Sequence, residues 1–212
     1  MARRSEHTLE ELRDMVLTAA ETIVIEEGYN ALTVRKVAMQ IGYTVGSIYM
    51  VFANMNDLIM HIKGRTLDEL ALELQNELVG VVPEHQMQVI ANVYLSFAHK
   101  HYHRWRMIFD ALSDEPVPVW YQQKVDQLLA FVEHACSVGL PAQSPEQLHL
   151  AARALWSGVH GVCVLSLNGS LGRVGVKNVQ ATVDLLVENF MRGWDQTAIP
   201  VTSTPPKRLP SS

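Results

Sequence analysis

The chain has 212 residues, of which 48% are hydrophobic and 18% are charged, a balance that excludes a disordered protein and can supply a sizeable core. Its net charge of −5 argues against a protein that is basic all over and coats nucleic acid. We find neither an apolar run of membrane-spanning length nor the apolar middle of a signal peptide, so we expect a cytoplasmic protein that binds no membrane.

The first predicted element is a helix that begins near Leu9. Thr8 and Glu11 have the S/T-x-x-E spacing of a capping box, in which each side chain satisfies a backbone N–H of the other residue. Gly28 ends the helix, because glycine adopts the left-handed conformation that closes many helices. The apolar residues of this helix recur on one face and can pack against the next two helices of the chain.

Two short helices joined by a tight turn are predicted next. Thr33 is a polar N-cap for the first, Gly42 stops it, and Thr44 caps the second. This is the pattern of a helix-turn-helix, whose second helix enters the major groove of DNA. The same pattern occurs in all-α proteins that never bind DNA, so spacing alone leaves a structural role open.

The run from Gly42 to Leu58, GYTVGSIYMVFANMNDL, resembles the signature of the TetR/AcrR family of bacterial transcriptional regulators. The matching positions are Gly42, Gly46, Ser47, Ile48, Tyr49, Phe52, Asp57 and Leu58. The likeness continues upstream through the turn formed by Glu27, Gly28 and Tyr29. It implies a DNA-binding regulator whose partners are double-stranded DNA with a palindromic operator, a second copy of the chain and a small-molecule effector.

The recognition helix gives a set of expected DNA contacts. Small or exposed residues near its N-terminus are expected at base edges, namely Val45, Gly46, Ser47 and Met50. Hydroxyl groups and helix N-termini are expected to hold phosphates, at Thr33, Thr44 and Tyr49.

Basic residues are scarce in this region. Residues 1–65 carry seven Lys and Arg against eight Asp and Glu, although residues 33–65 alone are weakly positive. The family commonly has lysine three residues after the conserved Phe and often a basic residue directly after it, where this chain has Met55 and Ala53. Asn54, Asn56 or an N-terminal arm with Arg3 and Arg4 would have to compensate, unless that arm is only a solvated tail.

The remaining helices are predicted from periodicity, with glycine and proline at the breaks. The expected fold is all-α, with about nine helices: a three-helix DNA-binding domain over 1–55, then a long fourth helix leading into a ligand-binding and dimerisation bundle over 56–195. The glycine-rich connector NGSLGRVG separates the last two helices. The tail, 196–212, is polar and proline-rich, and we expect it to be disordered.

The last two helices are apolar on more than one side and need a layer to cover them. We expect a symmetric four-helix dimer interface, as the family resemblance also implies, although both stripes could instead be internal core. The candidate residues are Leu148, Ala152, Leu155, Val159, Val183, Leu186, Phe190 and Trp194.

Large side chains near the helix breaks could line an apolar ligand cavity, although aromatic residues at helical spacing are more often ordinary core. The candidates are Tyr94, Phe97, Trp105, Phe109, Trp120, Trp156 and His160. Trp156, His160 and Gly161 resemble the motif of the WHG subfamily of TetR C-terminal domains. His160 could bind a ligand's polar end or only satisfy a carbonyl within the bundle.

Other functions find little support. His99 and His103 are four residues apart and could share a metal ion, but no further Cys, Glu or His lies at a supporting offset. We expect no metal and no cofactor, and the absence of catalytic motifs argues against an enzyme. The prediction is a ligand-responsive homodimeric regulator, most simply a repressor released by an apolar or amphipathic effector. Alternatives are an activator, or an all-α sensor or interaction module whose helix-turn-helix is structural.

Overall fold

A computed structural model describes residues 7–109, 116–139 and 143–194. Over these ranges the chain is helical without strands, which confirms the predicted all-α fold. The helices are α1 (Leu9–Glu27), α2 (Val34–Ile41), α3 (Val45–Ile48), α4 (Met55–Glu77), α5 (Pro83–Lys100), α6 (Tyr102–Phe109), α7 (Val119–Gly139), α8 (Pro145–Leu167), α9 (Ser170–Arg173) and α10 (Val179–Trp194), with a 3₁₀ turn at Tyr29–Ala31. The Arg3-Arg4 arm and the tail over 196–212 lie outside the described residues.

Helices α1 to α3 form a head with its own core. The capping box of Thr8 and Glu11 opens α1 with both expected hydrogen bonds, and Gly42 ends α2 at a φ of 73°. The side chains of Val16, Val37 and Ile48 are almost fully buried together in this core. Local capping therefore sets the helix limits, and apolar burial holds the three helices together.

Helix α4 is shared between two cores. It starts at the N-cap Asn54, and its first half contributes Leu58, Ile59 and Ile62 to the head core. Its second half contributes Leu70 and Leu74 to the core of the larger C-terminal bundle. The helix therefore forms a continuous link between the head and the C-terminal bundle.

Helix α6 is a second link. Met107 is fully buried in the head core, whereas Trp105, two residues earlier, belongs to the core of the C-terminal bundle. The buried Lys63 of α4 donates a hydrogen bond to the Ile108 carbonyl at 3.3 Å, and this bond fixes α6 against α4.

Two features differ from the sequence predictions. The glycine-rich connector contains a one-turn helix, α9, which buries Leu171; a single turn has no periodicity for a sequence pattern to reveal. Helix α8 is long and apolar enough to cross a bilayer by length and composition, whereas we found no apolar run of that length in the sequence. Only 28% of its most apolar window is buried in the protomer, although its inner face packs into the core of the C-terminal bundle.

Candidate DNA-binding surface and ligand cavity

The helix-turn-helix presents an exposed surface on α3 and the turn after it. Ile48 and Phe52 are 1% and 2% exposed and anchor this segment on the head core. Val45, Tyr49 and Met50 are exposed, as the sequence predicted, while Ser47 is half-buried. The anchoring residues and the exposed residues alternate at helical spacing, so the exposed set forms one surface.

Gly46 lies in the middle of this surface. A Cβ at this position would meet only Thr44 Oγ1, at 3.7 Å, which is an ordinary contact. Its φ is not positive either, so neither packing nor backbone conformation within the protomer requires glycine. The missing side chain leaves room for something outside the protomer to approach the backbone.

The polar residues expected to hold phosphates cap helices. Thr33 accepts from the Lys36 N–H, Thr44 from the Ser47 N–H, and Asn54 from the Asp57 N–H at 2.8 Å. The oxygens of all three side chains therefore fix where α2, α3 and α4 begin. The Thr44 and Ser47 hydroxyl oxygens lie 3.0 Å apart, which ties the cap to the recognition helix itself.

The positive charge of the head is weaker than the sequence predicts. Among the basic residues of 33–65, Lys36 pairs with Glu27, Lys63 is buried, and Arg65 pairs with Asp14 and Glu21 on α1. Arg35 is exposed. Sequence counting could not anticipate this, because the carboxylates that neutralise Lys36 and Arg65 come from a different helix.

Arg13 connects the end of the recognition segment to the rest of the molecule. Its guanidinium donates to the Val51 carbonyl at 2.6 Å and to His61 Nε2 at 2.6 Å, and lies 4.4 Å from the centre of the Phe52 ring. Because arginine can only donate, His61 Nε2 is the acceptor and the imidazole is neutral. Burial and the neighbouring Arg13 both lower the pKa of His61, which agrees with this state.

The C-terminal bundle encloses a cavity of about 500 Å³ between α4, α5, α6, α7, α8 and α10. Its wall is mostly aliphatic, with Leu67, Leu70, Ile90, Leu128, Val132 and Val187 among the lining residues. Its size and apolar wall are typical of a small-molecule site. A smaller cavity of about 300 Å³ lies beside it and shares Trp105 and Phe109 with it.

Polar groups concentrate where the two cavities meet. The Tyr94 hydroxyl lies 2.7 Å from His160 Nδ1; Tyr94 lines the main cavity and His160 the smaller one. Burial raises the pKa of Tyr94 far above its usual range and lowers the pKa of His160, so both groups are neutral near pH 7. Trp105 Nε1 is buried nearby and makes no hydrogen bond to any described residue.

The structure brings together most of the predicted ligand residues. Tyr94, Trp105, Phe109 and Trp156 line the main cavity, and His160 lines the smaller one. Phe97 and Trp120 line neither. Phe97 is fully buried in the core of the C-terminal bundle, and Trp120 stacks on His61 outside the cavity wall. Helical periodicity marks residues as apolar-facing, but it does not separate core from cavity wall.

The residues predicted for a dimer interface mostly face the protomer's own core. Ala152, Leu155, Val159 and Val183 are at most 5% exposed, and Leu148, Leu186 and Phe190 pack against the same core. The side chain of Trp194 lies outside the described residues. The exposed face of α8 carries instead Leu150, Ala154, Ser157 and Leu165, with Gly161 half-buried among them, and that of α10 carries Ala181, Leu185, Glu188, Asn189 and Arg192. Large apolar side chains cover the inner faces, whereas the outer faces mix leucines with small residues on α8 and with polar and charged residues on α10.

Comparison with known proteins agrees with this arrangement of head and bundle. Residues 16–62 match the family described as bacterial regulatory proteins, tetR family, and residues 87–190 match the tetracyclin repressor-like C-terminal domain. The chain belongs to the TetR family. It is a DNA-binding transcriptional regulator and not an enzyme. Within the TetR family, the likeness of its C-terminal domain to the WHG subfamily rests on Trp156, His160 and Gly161 alone.

Individual relatives support the same assignment. An uncharacterized HTH-type transcriptional regulator of Mycobacterium tuberculosis is 26% identical over 157 residues, which are 74% of this chain and 71% of that protein. A protein of unknown function from Rhodococcus sp. RHA1 has the same fold, with a TM-score of 0.74, 18% identity and coverage of 92% and 100% of the two chains. The regulator FadR from Bacillus subtilis, solved in complex with stearoyl-CoA, aligns with a TM-score of 0.65, 14% identity and coverage of 85% and 98%.

Proposed function

We propose that this TetR-family regulator is a cytoplasmic homodimeric repressor that binds a palindromic operator and leaves it when a small effector enters the main cavity. One observation carries the proposal: α4 and α6 each place residues in the head core and in the cavity wall. Leu58 and Leu70 lie on the two halves of α4, and Met107 and Trp105 on opposite sides of α6. A molecule in the cavity and DNA on the head therefore act on the same two helices.

In the DNA complex, Val45, Gly46, Ser47 and Met50 meet base edges. The exposure of Val45 and Met50 supports this role, and the open backbone at Gly46 gives the closest approach to the DNA. Phosphates are held by Thr33, Thr44, Tyr49 and Asn54. The three capping residues among them fix the starts of α2, α3 and α4, whose remaining backbone N–H groups lie toward the DNA backbone.

The dimer forms through the outer faces of α8 and α10. Leu150, Leu165 and Leu185 are 53%, 43% and 63% exposed, an unusual amount of apolar surface for helices that do not meet a partner. Ala154 and Gly161 between the α8 leucines allow a partner helix to pack closely. Two copies then read two half-sites with recognition helices about one DNA turn apart, roughly 34–36 Å, or a multiple of it.

Release from DNA follows from a difference in effector affinity between two arrangements of the dimer. An effector that fills the cavity pushes on the α6 residues Trp105 and Phe109 and on the C-terminal half of α4. Met107 and Leu58 transmit the displacement to the head, so the spacing of the recognition helices changes. The apolar wall favours an apolar or amphipathic effector, and the fold neighbour that holds stearoyl-CoA is consistent with that class.

Selection of duplexes from a random pool by the purified protein tests DNA reading. We expect a palindromic consensus for the wild type. Ser47→Ala should alter the preference among the selected sites, because Ser47 is placed at a base edge. Tyr49→Phe should weaken binding to all sites about equally, because Tyr49 is placed on a phosphate. Recovery of no consensus would favour the alternative, a sensor or interaction module whose helix-turn-helix is structural; an activator would yield the same consensus as a repressor.

A further inference from the structure

We propose that the effector is an uncharged, mostly apolar molecule with a hydrogen-bond acceptor oxygen, such as a ketone or an ester, and that this oxygen accepts from Trp105 Nε1. The inference rests on the proposed role of the main cavity as the effector site. It names the chemical class of the effector and the atom that selects it.

Trp105 supplies a donor without an acceptor. Its side chain is 3% exposed, and its indole nitrogen makes no hydrogen bond to any described residue. An indole N–H can only donate, and a ligand oxygen beside it would supply an acceptor. A buried donor left without a partner destabilises the protein, and a ligand oxygen would remove that penalty.

The side chain that carries this donor lines the main cavity. Tyr94 and Trp156 line the main cavity together with Trp105. Tyr94 lines the main cavity and not the smaller one. The hydroxyl itself is bonded to His160 Nδ1 at 2.7 Å. A ligand oxygen beside Trp105 would therefore join an existing polar cluster at the end of an aliphatic chamber.

The charge balance of the wall disfavours an anion. Among the described residues that line the main cavity, the only cation is Arg153, and it already contacts Glu133 at 2.7 Å and His149 at 2.8 Å. Gln122 and Ser157 are polar but uncharged. A carboxylate would lose its hydration in this wall without gaining a new counter-ion, whereas a neutral carbonyl loses little and gains the indole N–H.

Three probes of matched chain length test the inference on the full-length protein: methyl decanoate, decanoate and decane. Binding is followed by the fluorescence of the tryptophans and by the shift in melting temperature. We expect methyl decanoate to bind at least about tenfold more tightly than decanoate. In Trp105→Phe, which keeps the ring and removes the N–H, methyl decanoate should lose about five- to tenfold in affinity while decane changes less than about twofold.

Tyr121→Phe is the matched control, because Tyr121 is a buried aromatic residue on α7 that lines neither cavity. It should leave all three affinities unchanged. Two results would overturn the inference while leaving the cavity as an effector site. The first is tighter binding of decanoate than of methyl decanoate by the wild type. The second is an equal loss of affinity for methyl decanoate and decane in Trp105→Phe. Binding of none of the probes, at concentrations where each is monomeric, would contradict the effector cavity and the inference with it. The comparison of probes on the wild type decides the charge preference even if Trp105→Phe folds poorly.

Discussion

The His61 imidazole stacks on the Trp120 indole, with ring centroids 4.6 Å apart and planes 10° from parallel. His61 lies on α4 and receives a hydrogen bond from Arg13, which also holds the Val51 carbonyl at the end of the recognition segment. Trp120 lies on α7, whose next turns line the cavity with Val125 and Leu128. The stack thus joins the DNA-reading head to a cavity helix independently of α6.

Gly64 makes room for this stack, and its replacement gives the first prediction. A Cβ at Gly64 would lie 2.8 Å from Trp120 Cζ3, closer than any unstrained contact. Helix propensity alone predicts that Gly64→Ala stabilises the protein by about 1 kcal/mol. We expect no gain or a net loss in the free energy of unfolding, measured with urea, because the indole must leave its place beside His61.

The matched background for this prediction is Trp120→Ala, in which the obstacle is gone. There Gly64→Ala should recover a stabilisation of about 0.5–1 kcal/mol. If Gly64→Ala stabilises the wild type by the same amount as it stabilises Trp120→Ala, the close packing of the two residues is not present in solution.

The second prediction concerns pH. Burial, followed by the charge of Arg13, lowers the pKa of His61 below its ordinary value of 6.5. The unfolded chain therefore takes up a proton before the folded protein does as the pH falls, so stability is lost below about pH 6.5. The lowered pKa values of His101 and His160 act in the same direction. Denaturation at about pH 7.5 and about pH 5.5 should show lower stability in acid.

Burial raises the pKa of Glu21, so this carboxyl makes the protein less stable as the pH rises, opposite to the effect of His61. Variants are therefore needed to isolate the contribution of His61 to the pH dependence of stability. His61→Gln keeps an acceptor for Arg13 but does not titrate, so it should reduce the difference between the two pH values. His99→Gln changes an exposed imidazole and should leave that difference as in the wild type. Equal pH dependence in the wild type and His61→Gln would rule out the neutral, Arg13-bonded imidazole.

The third prediction addresses the scarcity of positive charge on the head. Ala53 is exposed and directly follows Phe52, where the family often has a basic residue. Ala53→Lys should raise operator affinity and steepen the plot of log affinity against log salt concentration by about 0.9, the effect of one additional phosphate contact. Gln75→Lys adds the same charge to an exposed position near the other end of α4 and should change neither quantity. Equal effects of the two variants would indicate a general charge effect and no phosphate contact at residue 53.

The fourth prediction tests the dimer. Leu185 is 63% exposed on the outer face of α10, and a glutamate there would be buried without a partner in the proposed interface. Leu185→Glu should shift the sedimentation of the protein from dimer to monomer and lower operator affinity. Val79→Glu, at a residue 79% exposed between α4 and α5, should remain dimeric. A Leu185→Glu protein that stays dimeric would place the interface elsewhere.

Local signals in the sequence predicted the helices of the head well. The sequence did not predict which distant residues contact each other in the fold. Thr8, Thr33, Thr44 and Gly42 start or end helices through their own backbone and side-chain chemistry, so each was recognisable from its neighbours. The pairing of Arg65 with Asp14 and the stack of His61 on Trp120 join residues more than 50 positions apart, and no periodicity records them.

The residues predicted for the dimer interface show the same limit of sequence-based prediction. The α8 stripe of Leu148, Leu155 and Val159 was correctly recognised as apolar, but its partner proved to be the protomer's own core. The outer face of α8, with Ala154, Ser157 and Gly161, gives a weak hydrophobic signal because these side chains are small. Burial in the structure was needed to distinguish the two faces.

Footprinting of the purified wild-type protein on the DNA that flanks its own gene tests the central claim most directly. We expect protection of a palindrome whose half-sites are centred about one helical turn, roughly 34–36 Å, apart or a multiple of it. Absence of any protected palindrome at moderate salt, with and without added cell extract, would contradict the assignment of Val45, Gly46, Ser47 and Met50 as a DNA-reading surface.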